Sequence, residues 1–212
     1  MKFRFAFVLM TLAALLTPVL LAAQTSNLTD ACVEAYDPTA DYFPEKVTVA
    51  AATGFTVEYF NNYKLVTVVT PWQGADEPVQ YVLVQCGTPA PENIDAPVIE
   101  VPVQRFVAMS TTFLPHIVMQ GLLDKLIAVD TVMFTSTPEV LAKVEAGDLP
   151  EVGGGGSGIA PNVEQVIDLE PDLVMTQKFS ADDSTFGVME QAALPVVLNA
   201  DFLDTSPLGQ AE

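Results

Sequence analysis

The first candidate for a binding site is the glycine run at 153–156, which lies within EVGGGGSGIAPNVEQVIDLEPDLVM (151–175). Glycine-rich turns before a helix can bind phosphate, but a P-loop also needs a lysine and a hydroxyl residue directly after its glycines. No lysine or arginine lies between Lys143 and Lys178. A dinucleotide fingerprint needs a strand immediately before the glycines, and the preceding segment is too short for one. The sequence therefore disfavours a nucleotide site and predicts that the glycines lead to a helix beginning at Asn162.

The other reactive side chains form no catalytic set. His116 is the single histidine, and no G-x-S-x-G nucleophile elbow is present. The chain has 27 acidic residues, but their number alone, without a characteristic spacing, does not identify an acid/base pair. Cys32 and Cys86 lack C-x-x-C spacing, so Cys and His cannot assemble a zinc cluster. We therefore predict a protein that is not an enzyme and that holds no metal or cofactor of its own.

The first 23 residues have the pattern of a secretory signal peptide. Lys2 and Arg4 precede an uncharged apolar run, and small residues offer a cleavage site near Ala23. A single membrane anchor is the alternative, which the shortness of the run and Pro18 disfavour. We expect an exported protein that is periplasmic or otherwise extracytoplasmic.

Export has two consequences for the mature chain. In an oxidising compartment a disulfide between Cys32 and Cys86 is the default, and two free buried thiols are the alternative. Loss of Lys2 and Arg4 leaves 6 basic against 27 acidic residues, a net charge of −21. Such a field repels nucleic acid and anionic lipid, so neither is an expected partner.

The predicted secondary structure changes near residue 100, from short strands to alternating strands and helices. The preceding residues 24–100 are predicted to be a β-rich N-terminal extension. Within it, NNY (61–63) favours a tight hairpin. Residues 87–97 contain too many prolines to form a helix and are predicted to be a link. Trp72 is interpreted as a core or sheet-face residue. We predict a small antiparallel sheet within 46–86, from β-rich runs at 46–50, 55–60, 64–70 and 79–86.

Beyond residue 100, short apolar strands alternate with helices. The first helix is predicted over 112–126, capped by Thr111 or Thr112 and interrupted or ended by Gly121. Asn162, with Gln165 three residues later, predicts a capping box for the third. The alternation predicts the α/β class, with a parallel sheet flanked by helices. Predicted strands are 105–109, 126–130, 172–176 and 194–199, and the other helices are 137–147 and 182–193.

Open parallel sheets bind their ligands at the carboxyl ends of the strands. The loops that follow the predicted strands are therefore the candidate ligand-binding loops. These loops carry hydroxyls, amides, one lysine and several phenylalanines, which suits the binding of a small molecule. They are 110–113, 130–134, 177–183 and 199–204, and the glycine run is expected beside them.

Residues 100–212 resemble the first lobe of the iron–siderophore and cobalamin periplasmic-binding proteins, the soluble subunits of ABC importers. The most specific part is an N-x-E…P-D-L-V pattern, read at Asn162, Glu164, Pro171, Asp172, Leu173 and Val174. SPLGQAE (206–212) resembles the point where that family continues into a long helix and a second lobe. The resemblance implies a first lobe at 101–212 whose second lobe is missing, a fragment or truncated product. It also implies a monomer that captures an Fe(III) siderophore or related iron or cobalamin-type chelate and delivers it to a membrane permease.

The expected site residues follow from the resemblance and from the strand-end loops. Glu164 matches the family position that docks on the permease; as an alternative, it is a first-turn glutamate favoured by the helix dipole. For the ligand contacts the alternatives are helix capping by the threonines, a structural histidine and a solvated lysine. The expected ligand-binding residues are Thr111, Thr112, Phe113, His116, Ser157, Lys178, Phe179 and Phe202.

Two other functions remain open from the sequence. The protein could be a secreted α/β hydrolytic enzyme, in which case the full chain would cleave an ester or a glycoside. It could also be an adhesion or scaffold module formed by the strand-rich segment, whose binding would survive deletion of 101–212.

Overall fold

The computed structural model describes residues 25–154 and 160–212, which form two four-stranded sheets. The β region (residues 25–101) contains the first sheet, in the order β1-β2-β3-β4. The α/β lobe (residues 105–212) contains the second, in the order β6-β5-β7-β8. The strands of the first sheet are β1 Phe55–Tyr59, β2 Tyr63–Val68, β3 Val79–Gln85 and β4 Val98–Val101.

A tight hairpin joins β1 to β2, as the Asn-Asn pair predicts. The Phe60 N–H donates to the Tyr63 carbonyl at 2.9 Å, and the two strands pair antiparallel. Asn62 is buried, and its side-chain amide donates to the Thr88 hydroxyl and the Pro89 carbonyl. The turn is thereby fixed to the loop that follows β3.

The small antiparallel sheet predicted for the β region is confirmed by β1, β2 and β3, but two of its details differ from the prediction. Residues 46–50 form no strand. Within this segment the Val47 N–H donates to the Tyr59 hydroxyl and the Ala50 N–H to the Glu212 carboxylate, so neither is available to a ladder. The sheet also has a fourth strand, β4, which pairs parallel to β3. Pro97 and Pro102 flank this four-residue run, and the proline-rich link before it obscured its signal.

The disulfide Cys32–Cys86 ties the N-terminal segment to the end of β3. The two sulfurs are bonded, with the Cα atoms 4.8 Å apart. Beside it, the Val33 N–H donates to the Cys86 carbonyl at 2.9 Å. The segment that precedes the first strand is therefore held to the sheet both covalently and through its backbone.

The α/β lobe has the predicted parallel sheet. The chain passes from β5 to β6 on one side and then crosses to β7 on the other, so its direction of travel reverses between β5 and β7. In such sheets the crevice outside the carboxyl ends at this reversal is where ligands bind. The strands are β5 Phe106–Ala108, β6 Leu126–Val129, β7 Leu173–Thr176 and β8 Val196–Leu198.

Helices cover both faces of this sheet. Leu114 of α1 and Val140 of α2 pack on one face, and Val166 of α3 and Met189 of α4 pack on the other. Among the described residues, no helix is long and apolar enough to cross a bilayer. The helices are α1 Leu114–Met119, α2 Pro138–Glu145, α3 Val163–Asp168, α4 Ser184–Gln191 and α5 Pro207–Ala211, with a 3-10 turn at Asp201–Leu203.

Two of the predicted helix caps have different outcomes. The prediction that Thr111 or Thr112 caps α1 is wrong: Phe113 is the capping position, without a side-chain hydrogen bond. The Thr112 hydroxyl bonds other side chains instead. The helix ends at Met119 rather than at residue 126, and Gly121 follows its C-cap with a φ of +71°, which confirms the prediction that Gly121 interrupts or ends it. The cap of α3 is confirmed, because the Gln165 N–H donates to the Asn162 side-chain oxygen at 3.2 Å.

The β region and the α/β lobe meet along β3 and β8. Tyr81 is 3% exposed, and its hydroxyl accepts the Leu198 N–H at 3.0 Å. Burial raises the pKa of the Tyr81 phenol to about 12. The Asp204 carboxylate accepts the Ser206 N–H at 3.0 Å and the Thr53 N–H at 2.9 Å, and these bonds hold the Asp204 pKa below its usual value. The junction is therefore polar as well as apolar.

Candidate ligand-binding site

Gln177, the first residue after β7, joins three loops at the carboxyl edge of the parallel sheet. Its side-chain amide donates to the Asp201 carboxylate at 2.6 Å and to the Thr112 hydroxyl at 3.3 Å. The Thr112 hydroxyl lies 3.0 Å from the Ser110 hydroxyl. Gln177 is 9% exposed, which fixes its rotamer while Thr112 remains open to solvent. The loops after β5, β7 and β8 thus converge where the strand order reverses.

Aromatic side chains and one lysine lie beside this polar group. The rings of Phe179 and Phe202 are tilted against each other with centroids 5.1 Å apart, and Phe179 is 49% exposed. The Lys178 ammonium lies 4.0 Å from the centroid of the Trp72 ring and 5.4 Å from that of Phe186. We call the set Ser110, Thr112, Gln177, Lys178, Phe179, Asp201 and Phe202 the rim.

Not every residue expected at the site lies on the rim. Thr111 is half-buried in the turn before α1, and its carbonyl accepts the Leu114 N–H at 3.4 Å. Phe113 is 4% exposed and packs in the core against α1, so it supports the loop from below. Ser157 lies outside the described residues. Glu164 is exposed in the first turn of α3.

His116 faces a groove behind the rim. Two cavities, of about 320 and 280 Å³, lie along the face of the parallel sheet between α1 and the β region. They share Leu173 and Met175 on β7, and Asp201 borders both. His116 lines the smaller cavity with Gln120, but Thr112 does not. The two expected contacts Thr112 and His116 therefore lie apart, Thr112 on the rim and His116 in the groove.

A buried carboxyl stands at the end of β6. Asp130 is 1% exposed, and neither of its side-chain oxygens has a hydrogen-bond partner in the described part of the chain. Burial raises the Asp130 pKa to about 7, the Glu151 carboxylate adds to the rise, and the nearby backbone N–H groups offset only part of it. Glu151 itself accepts the Val132 N–H at 2.7 Å. Asp130 is thus poised to be protonated near neutral pH.

Sequence reasoning missed four residues of this arrangement. Ser110, Gln177 and Asp201 each belong to a loop at a strand end, and this signal indicated the loops but not which of their residues connect them. Trp72, interpreted as core or sheet face, is half-buried in the β2–β3 connection and packs on Lys178. No local sequence signal indicates that a loop of the β region reaches this rim.

The site is suited to binding. Its groups are hydroxyls, an amide, a carboxylate, an ammonium and aromatic rings, which can together hold a small polar or aromatic molecule. Among the described residues, no group of three or more His, Cys, Asp or Glu side chains could hold a metal ion.

Comparison with known proteins gives likenesses among solved structures. No protein-family model and no curated protein matches the chain. A periplasmic heme-binding protein from Pseudomonas aeruginosa is similar over 45% of this chain, with 26% identity and a TM-score of 0.35. The petrobactin-binding protein YclQ from Bacillus subtilis is similar over 62% of the chain, with 18% identity and a TM-score of 0.36.

An ABC transporter solute-binding protein from Sulfurospirillum deleyianum is similar over 54% of the chain, with 20% identity and a TM-score of 0.40. The alignments cover 30%, 36% and 38% of the three solved chains, so this chain spans about a third of their length.

Proposed function

We propose that this protein is an extracytoplasmic solute-binding protein of an ABC importer, which captures a ferric siderophore or a related iron or cobalamin-type chelate. One observation carries the proposal: the loops after β5, β7 and β8 meet in a single hydrogen-bonded group centred on Gln177. That group lies where open parallel sheets bind their ligands. The class of ligand is proposed from the sequence pattern between Asn162 and Val174, which resembles that of the iron–siderophore and cobalamin periplasmic-binding proteins.

In this proposal the rim contacts the ligand. Thr112 and Asp201 offer an exposed hydroxyl and a carboxylate, while Phe179 and Phe202 offer ring faces to an apolar part of the chelate. Thr111, His116 and Ser157 are proposed as further contacts from the neighbouring turn, groove and glycine run. Phe113 lines the smaller cavity with His116 and is also proposed as a contact, in addition to supporting the loop that carries Thr112.

Titration with chelates tests the proposal. Trp72 is the single tryptophan and lies against Lys178, so its fluorescence reports on the rim. A ferric tris-catecholate, a ferric trihydroxamate, hemin and cobalamin are the probes. We expect saturable quenching by at least one of them, and a roughly tenfold weaker affinity in Thr112→Val because a polar ligand contact would be lost. Thr205→Val, at an exposed position outside the rim, is the matched control. Absence of saturable binding by every probe would overturn the proposal.

Delivery to a membrane permease forms the second part of the proposal, with Glu164 as a docking residue and the protein acting as a monomer. Glu164 is exposed in the first turn of α3, and Glu139 is exposed in the first turn of α2. The two substitutions Glu164→Arg and Glu139→Arg therefore change the charge equally at equivalent helix positions. In a cellular uptake assay we expect only Glu164→Arg to reduce transport; equal uptake by both variants would remove the docking role.

A further inference from the structure

Lys178 is a cation that has no carboxylate partner within the described part of this strongly acidic protein. The chain has 27 acidic and 8 basic residues. Among the described residues, Lys46, Lys125 and Lys143 each form an ion pair with an aspartate, whereas Lys64, Arg105 and Lys178 have no carboxylate oxygen within 4.0 Å. Its positive charge is therefore available to a bound anion.

Aromatic faces hold that ammonium in place. It lies 4.0 Å from the centroid of the Trp72 ring, a distance typical of a cation–π contact, and 5.4 Å from that of Phe186. Unlike a carboxylate, an aromatic face attracts the ammonium without neutralising its charge. It leaves the N–H groups that point away from the ring free to donate to another acceptor.

Trp72 comes from the other region of the molecule. It lies in the connection between β2 and β3, in a turn where the Ala75 N–H donates to the Trp72 carbonyl at 3.1 Å. The following Gly74 has a φ of +82°, a backbone conformation that disfavours residues with a Cβ. The turn thus gives the indole a defined position against a lysine more than 100 residues further along the chain.

We propose that Trp72 is a positioning residue for Lys178, and that through it the β region sets the preference of the rim for ligands with anionic oxygens, such as carboxylates or catecholates. The inference rests on the proposed function in that the ligand occupies the same rim. It goes further by assigning to the β region a part in selecting the ligand.

The first test needs no ligand. Iodide and the neutral quencher acrylamide both quench tryptophan, but only iodide responds to local charge. At constant ionic strength, we expect Lys178→Met to lower iodide quenching of Trp72 about threefold relative to acrylamide quenching, because one nearby positive charge is lost. Lys143→Met, which removes the same charge elsewhere, leaves that ratio unchanged. An unchanged ratio in Lys178→Met overturns the inference.

The second test measures selectivity by calorimetric titration with the ferric tris-catecholate, which carries net negative charge, and the neutral ferric trihydroxamate. We expect Lys178→Met and Trp72→Leu each to weaken the catecholate about tenfold relative to the hydroxamate. Trp72→Phe retains a ring face and restores most of the difference, which a merely structural role for Trp72 would not predict.

The outcomes separate the two proposals. If the wild-type protein binds a probe but selectivity is the same in all three variants, the positioning role is overturned and the binding function stands. If the wild-type protein binds neither probe, the choice of these ligands fails, while iodide quenching still decides whether Lys178 presents a charge beside Trp72.

Discussion

The β region and the α/β lobe are stabilised in different ways. Strand β1 alternates half-buried and exposed residues, whereas all three residues of β5 are buried. The α/β lobe buries both faces of its sheet beneath helices, so its stability comes from two apolar layers. The β region depends more on a disulfide, a side-chain-fixed hairpin and its contacts with the lobe.

The difference explains why the rim is mixed in origin. The α/β lobe supplies the strand ends and the group centred on Gln177, which a buried parallel sheet places accurately. The β region supplies Trp72 from a connecting turn, at a surface that the lobe alone would leave open. A half-buried sheet can therefore contribute to a site because its unburied face and turns are free to pack against a neighbour.

The largest expected effect is loss of the disulfide. Replacing both cysteines, Cys32→Ser with Cys86→Ser, should lower the free energy of unfolding by about 4 kcal/mol, since the bond closes a loop whose ends are 54 residues apart. Trp72 fluorescence reports on the β region, and circular dichroism at 222 nm reports on the helices of the α/β lobe. We expect both denaturation midpoints to fall together because the junction couples the regions. A shift of the fluorescence midpoint alone would mean that the regions unfold independently.

A pH-dependent effect is expected in the α/β lobe. Between pH 4 and about 7 the folded state keeps a proton on Asp130 that the unfolded state releases, so the free energy of unfolding falls as pH rises through this window. The loss should be about 2–4 kcal/mol, and Asp130→Asn should abolish it. Denaturant unfolding at pH 4.5 and pH 8 measures the slope. Asp148→Asn, at an exposed position, is the control; equal slopes in Asp130→Asn and the wild type would contradict this prediction.

The junction itself is tested by Tyr81→Phe. Removing the hydroxyl leaves the Leu198 N–H buried without its acceptor, which should cost about 2 kcal/mol of unfolding free energy. The Tyr59 hydroxyl accepts the Val47 N–H at an exposed position, so Tyr59→Phe should cost much less. Chemical denaturation of the two variants compares them directly. A loss in Tyr81→Phe no larger than that in Tyr59→Phe would show that the hydrogen bond does not stabilise the junction.

The smallest effect is confined to the α/β lobe. Asn162→Ala removes the side-chain oxygen that accepts the Gln165 N–H at the start of α3, and should lower the free energy of unfolding by about 1 kcal/mol. Asn93→Ala, in an exposed turn of the β region, should leave it unchanged. Thermal unfolding followed by circular dichroism at 222 nm measures both variants. An equal loss of unfolding free energy in the two variants would show that the Asn162 cap is not the cause.

Much of the fold could be predicted from local sequence. The apolar runs and the Pro, Gly and Asn signals gave the α/β class, the hairpin at 61–63 and the cap at Asn162, because each depends on residues only a few positions apart. Strand β4 and the missing strand at 46–50 could not be predicted in this way. Prolines flank the short β4 and obscure its pairing with β3, while the N–H of Ala50 donates to Glu212, which lies 162 residues further along the chain.

The candidate site, like the fold, has features that depend on local sequence and features that depend on contacts between distant residues. Sequence alone determined which loops follow the parallel strands, since alternation of strands and helices brings all carboxyl ends to one edge. Only the tertiary structure decided that Gln177 joins Thr112 to Asp201, that Phe113 is buried, and that Trp72 packs on Lys178. Periodicity determines which face of an element is buried, but contacts between distant side chains depend on how the β region and the α/β lobe pack together.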